Sequence, residues 1–69
     1  MQENDNISQK KIKLLIVDDE KHFVNVLFKR LNKRNIDVTT AFSGSEGIQA
    51  LRKVDFDVAI LDLKMEDMD

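Results

Sequence analysis

Carboxylates stand directly after two apolar runs of this 69-residue chain. The stretch LLIVDDE, residues 14–20, passes from branched apolar residues into Asp18, Asp19 and Glu20, and FDVAILD, residues 56–62, ends in Asp62. Continuous apolar runs of this length are typical of strands buried on both faces of a parallel sheet. Ligands of open parallel sheets bind beyond the carboxyl ends of the strands. We therefore expect the three aspartates to converge, provided that the two strands are neighbours.

Converging carboxylates call for a positive partner, because like charges held close together repel one another. Oxygen ligands without His or Cys favour a hard cation, and Mg²⁺ takes one or two carboxylates while keeping several waters. The sequence thus predicts Mg²⁺ as the cofactor. A carboxylate can also attack a phosphoryl group to form an aspartyl-phosphate, which makes Asp62 a candidate phosphoacceptor.

Each acid also has a purely structural interpretation. Acids after strands often form turns or cap helices. Taken singly, Asp19 and Glu20 are better explained as helix caps, and Asp62 is explained equally well as a turn residue. The expected convergence favours the functional interpretation. His22 has no second His or Cys nearby, and SGSEG at 43–47 lacks the Lys of a P-loop, so neither predicts a site.

The elements that must position the acids alternate along the chain. We predict strands at 11–17, 36–42 and 56–62, a helix at 20–33, and a second helix that starts at the SGSE capping box and runs through about residue 53. Asn35 is suited to stop the first helix in a left-handed conformation. The order βαβαβ predicts an α/β fold with a parallel sheet whose second strand lies at an edge. The expected inward residues are Phe23, Val24, Leu27, Phe28, Leu31, Ile48 and Leu51.

Composition narrows the class of protein. Eleven basic and 13 acidic residues give a net charge of −2, which does not favour nucleic acid as a partner. No apolar run approaches the roughly 20 residues of a membrane span, and there is no cysteine for a disulfide. The polar residues 1–10 lack the apolar middle of a secretory signal and are predicted to be a flexible leader. We expect a cytoplasmic protein without a membrane partner.

Three segments together resemble the first three strands of the receiver domain of bacterial response regulators, the family of two-component signalling. They are KLLIVDDE, FSGSEGIQAL and FDVAILDLKMEDMD, and the resemblance covers nearly all of residues 11–69. It implies a flavodoxin-like fold, of which this chain would hold strands in the order 2-1-3. It also implies that Asp62 accepts a phosphoryl group from a sensor histidine kinase. Mg²⁺ would be bound by Asp19 directly, by Asp18 mainly through water, and by the backbone carbonyl of Lys64.

The sequence departs from the family pattern in two respects. Glu66 stands where the family usually carries Pro, and the chain ends at Asp69. Residues 11–69 are therefore predicted to be a truncated receiver, without the later strands that in the family supply a Thr or Ser and a Lys. An apolar edge on the third strand, DVAIL, would then invite self-association.

The leading prediction is a response regulator receiver module of a phosphorelay. It would not be an enzyme beyond its own phosphorylation and dephosphorylation. The alternative is a truncated receiver that no longer supports regulated phosphotransfer and acts as a binding or self-association module. A metal-dependent phosphohydrolase ranks last, because the D-L-K at Asp62 lacks the second acid two residues on that such enzymes commonly show.

Overall fold

A computed structural model describes residues 11–62. Three parallel strands form one sheet in the order β2-β1-β3, which confirms the predicted α/β fold and strand order. The helices α1 and α2 connect β1 to β2 and β2 to β3. The bounds are β1 Ile12–Val17, α1 Lys21–Asn32, β2 Ile36–Ala41, α2 Gly44–Lys53 and β3 Val58–Leu61.

Strand β1 forms the centre of the structure because both of its faces are buried. Leu14 and Ile16 pack with Val24 of α1 and Val38 of β2 on one face. Leu15 and Val17 pack with Ala41 on the other face. This burial confirms that the unbroken apolar run forms a strand buried on both faces. The free energy gained by burying these side chains holds β1 between β2 and β3.

Helix α1 packs on the sheet through a narrower face than the sequence predicted. Val24 is fully buried, and Leu27, Phe28 and Leu31 are partly buried against the same core. Phe23 was expected to point inward, but it is 48% exposed. It lies in the first turn of the helix, beyond the end of the core, where it lines the cavity at the carboxyl edge of the sheet. The helix ends before Asn35, whose φ of 66° confirms the expected left-handed residue.

Helix α2 begins with the predicted capping box. The Ser43 hydroxyl accepts a hydrogen bond from the Glu46 backbone N–H at 3.1 Å. The Glu46 carboxylate in turn accepts from the backbone N–H of Phe42 at 2.9 Å, one residue before the cap. Two orphan amides are thereby satisfied, which fixes the start of the helix.

The inward face of α2 was predicted wrongly. Ile48 and Leu51 are 53% and 52% exposed, whereas Gly44 and Gly47 are buried. The helix approaches β1 so closely that only small residues fit between them: a Cβ built on Gly47 lies 2.9 Å from Cγ2 of Val17. The larger apolar side chains are therefore displaced from the contact.

Strand β3 pairs with β1 on one side and is the outer strand on the other within the described residues. Its apolar residues Val58, Ile60 and Leu61 are each more than two-fifths exposed. The strand is shorter than the predicted 56–62. Phe56 and Asp57 precede it, and Asp62 follows it. A continuous apolar run thus predicts burial correctly for β1, whereas the apolar side chains of β3 are exposed among the described residues.

The prediction of a flexible leader concerns residues 1–10, which are outside the described range, so it stays a prediction. No helix among residues 11–62 is long and apolar enough to cross a bilayer.

Replacing Gly47 by Ala tests the close approach of α2 to β1. Ala has the higher helix propensity, so a solvent-facing site would gain up to about 1 kcal/mol. Here the new methyl meets the stiff, buried Val17 side chain. We expect Gly47→Ala to lower the free energy of unfolding by about 1–3 kcal/mol in urea denaturation.

The matched control is Gln49→Ala, an exposed position in the same helix, which should leave stability unchanged or slightly higher. A Gly47→Ala variant as stable as the wild type would contradict the described packing.

Candidate functional site

The pairing of β1 with β3 brings the two acidic chain segments together. Val17 and Leu61, the last residues of the two strands, are register partners. The next residue of each strand is an aspartate, so Asp18 and Asp62 leave the sheet side by side. The Asp62 backbone N–H donates to the Val17 carbonyl at 3.0 Å, and the Asp18 N–H donates to the Ala41 carbonyl at 3.0 Å. Both aspartates are therefore anchored through their main chains.

Asp18, Asp19 and Asp62 form one cluster, as the sequence predicted. Each offers a carboxylate oxygen, and these three oxygens all lie within 4.8 Å of one another. Asp18 and Asp62 are half-buried, and Asp19 is exposed. The cluster lines an open cavity of about 460 Å³ together with Glu20 and Phe23. The site is thus accessible to a solute while its floor is formed by the end of the sheet.

The turn from β1 into α1 fixes one of the carboxylates. Oδ1 of Asp18 accepts a hydrogen bond from the Glu20 backbone N–H at 2.9 Å, an Asx-type turn contact. Glu20 occupies the N-cap position of α1, but its side chain makes no capping hydrogen bond. Glu20 therefore holds the predicted cap position through its backbone, and the side-chain hydrogen bond of this turn comes from Asp18.

The three carboxylates fit a small divalent cation. An octahedral Mg²⁺ with bonds of about 2.1 Å separates its ligand oxygens by roughly 3–4.2 Å. The observed spread of up to 4.8 Å needs only a small contraction to reach that geometry. The donors are all oxygen, which suits Mg²⁺ rather than a softer metal. Open cavity space beside the cluster leaves room for the water ligands that Mg²⁺ retains.

The remaining predicted ligand, the Lys64 carbonyl, lies outside the described residues. Glu66 and Asp69, on which the sequence departs from the family pattern, lie outside them too. Phe23 is the cavity residue that sequence reasoning missed. Its helical spacing with Val24 and Leu27 suggested that Phe23 belongs to the hydrophobic core. Its position four residues after Asp19, in the first turn of α1, was the sequence signal that it lies near the site.

A further contact joins the first turn of α1 to the end of β2. The Lys21 ammonium lies 5.5 Å from the centroid of the Phe42 ring, within the range of a cation–π interaction. Lys21 is the cation that follows the acidic segment directly in sequence. The positive charge of Lys21 therefore lies beside Phe42, the residue that follows β2.

The family model described as "Response regulator receiver domain" matches residues 14–69. Transcriptional regulatory protein GlrR of Escherichia coli (strain K12) is 40% identical over 63 residues, which cover 91% of this chain and 14% of that protein. Heme response regulator HssR of Staphylococcus aureus (strain USA300) is 33% identical over 58 residues, 84% of this chain and 26% of that protein.

The chain therefore spans about a seventh to a quarter of the length of these curated relatives. No solved structure is significantly similar to it.

Neutralising one carboxylate of the cluster tests whether the three charges repel one another. Two unit charges at this distance interact by about 1 kcal/mol in a water-like medium, and Asp19 faces two of them. Without divalent cation and at low salt, we expect Asp19→Asn to raise the free energy of unfolding by about 1–2 kcal/mol. High salt should shrink the gain, because exposed charges are screened.

Asp55→Asn removes an exposed acid outside the cluster and is the matched control. It should change stability by less than about 0.5 kcal/mol. Equal effects of the two substitutions would show that net charge, not the cluster, determines the result.

Proposed function

This chain belongs to the response regulator receiver domain family, and from that premise we propose that it accepts a phosphoryl group on Asp62 in a two-component phosphorelay. The family and the parallel 2-1-3 sheet support a receiver of a two-component system. The identity of the phosphoacceptor is supported by position: Asp62 follows β3 at the carboxyl edge of the sheet, within the open cavity.

The single observation that carries this proposal is the approach of three carboxylate oxygens to within 4.8 Å. Three carboxylates at this separation repel one another. A divalent cation reverses the sign of that interaction. We assign Mg²⁺ to Asp18, Asp19 and Asp62, with the Lys64 carbonyl as a further ligand. When bound, the ion supplies positive charge that neutralises phosphoryl oxygens beside Asp62.

The proposed chemistry is a displacement at phosphorus. A carboxylate oxygen of Asp62 forms the new O–P bond while the bond from phosphorus to the donor atom breaks, and the donor leaves with that electron pair. For a phosphohistidine donor the leaving atom is an imidazole nitrogen. The backbone bond from Asp62 N–H to the Val17 carbonyl holds the nucleophile at the sheet edge. The bond from Glu20 N–H holds the Asp18 carboxylate beside it.

A sensor histidine kinase is the phosphodonor that the family implies. Receiver domains are not enzymes in the usual sense, since the chain itself is the group that is modified. The relatives' names refer to transcriptional regulation and to a response to heme, and those roles are statements about GlrR and HssR.

Acetyl phosphate, a small phosphodonor, tests the acceptor directly. With Mg²⁺ present, we expect intact mass spectrometry to show one added phosphoryl group on the wild-type chain. Asp62→Asn should abolish the adduct because the amide is not a competent nucleophile. Asp55→Asn should keep it, and chelation of the divalent ion should prevent it in every variant.

An adduct of unchanged yield on Asp62→Asn would contradict the assignment. No adduct on a folded wild-type chain that binds Mg²⁺ would favour the alternative of a binding module without phosphotransfer.

Self-association is a second candidate property, and the exposure of β3 favours it. Val58, Ile60 and Leu61 are 49%, 42% and 46% exposed on the outer strand of the described sheet. An edge strand with apolar side chains can pair with a second copy of itself. In an antiparallel β3–β3 pair, Asp57 of one copy approaches Asp62 of the other, so low salt should oppose the contact.

A charge on this edge should block the association. We expect sedimentation velocity to show a concentration-dependent dimer for the wild-type chain, more populated at high salt, and a monomer for Ile60→Lys. Val26→Lys, at a residue of α1 that is 39% exposed, should behave as the wild type. A wild-type chain that stays monomeric at micromolar concentration would overturn this candidate.

A further inference from the structure

A pair of hydrogen bonds joins β1 and β3 at the end opposite to the acidic cluster. The Asp57 backbone N–H donates to the Lys13 carbonyl at 2.8 Å. The Lys13 backbone N–H donates to Oδ2 of the Asp57 side chain, also at 2.8 Å. The Asp57 carboxylate thus adds one bond to the ladder just before Val58, the first paired residue of β3, and this bond joins residues 44 positions apart in sequence.

Side-chain burial specifies the register of β3 only weakly. Val58 and Ile60 alternate with Ala59 and Leu61, and residues of both sets are exposed. A strand whose two faces are similarly apolar and similarly exposed loses little burial when it slides along its neighbour. The register must therefore be set largely by contacts at the strand ends.

The position of Asp62 depends directly on that register. A slip of β3 by two residues keeps every side chain on its own face, yet it moves the strand by about 6.6 Å along β1. This displacement exceeds the 4.8 Å within which the carboxylate oxygens of Asp18, Asp19 and Asp62 lie. A slipped β3 would therefore carry Asp62 out of the cluster while most of the fold remained intact.

We infer that Asp57 is a positioning residue: its carboxylate, by accepting the Lys13 N–H, locks the register of β3 on β1 and so places Asp62 in the acidic cluster. This bond is accepted by a side chain, so a substitution can remove it without changing any backbone donor or acceptor of the β1–β3 ladder. The expected effect of the Asp57 bond on divalent-ion affinity rests on the function proposed above. The expected effect of the bond on the register of β3 is independent of that function.

The two parts of the inference need two readouts on the full 69-residue chain. Nuclear Overhauser contacts between β1 and β3, such as Leu15 to Ala59, report the register. Calorimetric titration with Mg²⁺, at a temperature where each variant is folded, reports the site. We expect Asp57→Ala to lose the native β1–β3 contacts while keeping those of β1 with β2, and to bind Mg²⁺ at least about tenfold more weakly.

Asp57→Asn is the rescue variant, because the amide oxygen retains an acceptor for the Lys13 N–H. It should keep the register and hold the Mg²⁺ affinity within about twofold of the wild type. The matched structural control is Glu46→Ala, which also removes a carboxylate that accepts one backbone N–H, but at the start of α2. It should lower stability without changing register or affinity.

Native β1–β3 contacts together with unchanged affinity in Asp57→Ala would overturn the inference. If the wild-type chain binds no Mg²⁺, the proposed metal site fails, and the register contacts alone decide the role of Asp57. If Asp57→Ala does not fold, hydrogen exchange in the wild type decides it. We expect the Lys13 amide to be protected like those of the β1 interior, and exchange at the rate of a frayed end would refute the lock.

Discussion

The repulsion among three carboxylates at one edge of the sheet is the constraint on which the account depends. Asp18, Asp19 and Asp62 cannot separate without cost, because β1 and β3 are parallel neighbours whose ends coincide at Val17 and Leu61. Burial of β1 on both faces supplies the rigid platform, and main-chain hydrogen bonds hold the aspartates against it. The sheet thus holds three carboxylates close together, in an arrangement that suits a divalent cation.

The sequence was sufficient for the features that follow from strong local patterns. The unbroken apolar run of β1 predicted a strand buried on both faces, and the SGSE segment predicted the start of α2. The convergence of the acids followed because parallel strands place their carboxyl ends at one edge. These inferences succeeded because a single rule with a physical cause determined each of them.

The sequence was not sufficient to predict contacts that depend on the distance between two packed elements, because residue spacing along the chain does not determine that distance. Ile48 and Leu51 have helical spacing, yet the contact of α2 with β1 is made by Gly47 because the helix lies too close for larger groups. Phe23 has the same spacing as core residues but lies beyond the end of the sheet. The Asp57 bond to Lys13 links residues 44 positions apart, and only the register of β3 brings them together.

Binding of Mn²⁺, a paramagnetic substitute for Mg²⁺, tests the central claim most directly. In nuclear magnetic resonance spectra at low ratios of metal to protein, we expect strong broadening of the amide signals of Asp18, Asp19 and Asp62 together. Signals at the opposite end of the sheet, such as that of Ile36 at the start of β2, should stay sharp. Broadening confined to Asp18 and Asp19, with the Asp62 signal unaffected in the folded chain, would contradict the claim that the three carboxylates share one ion.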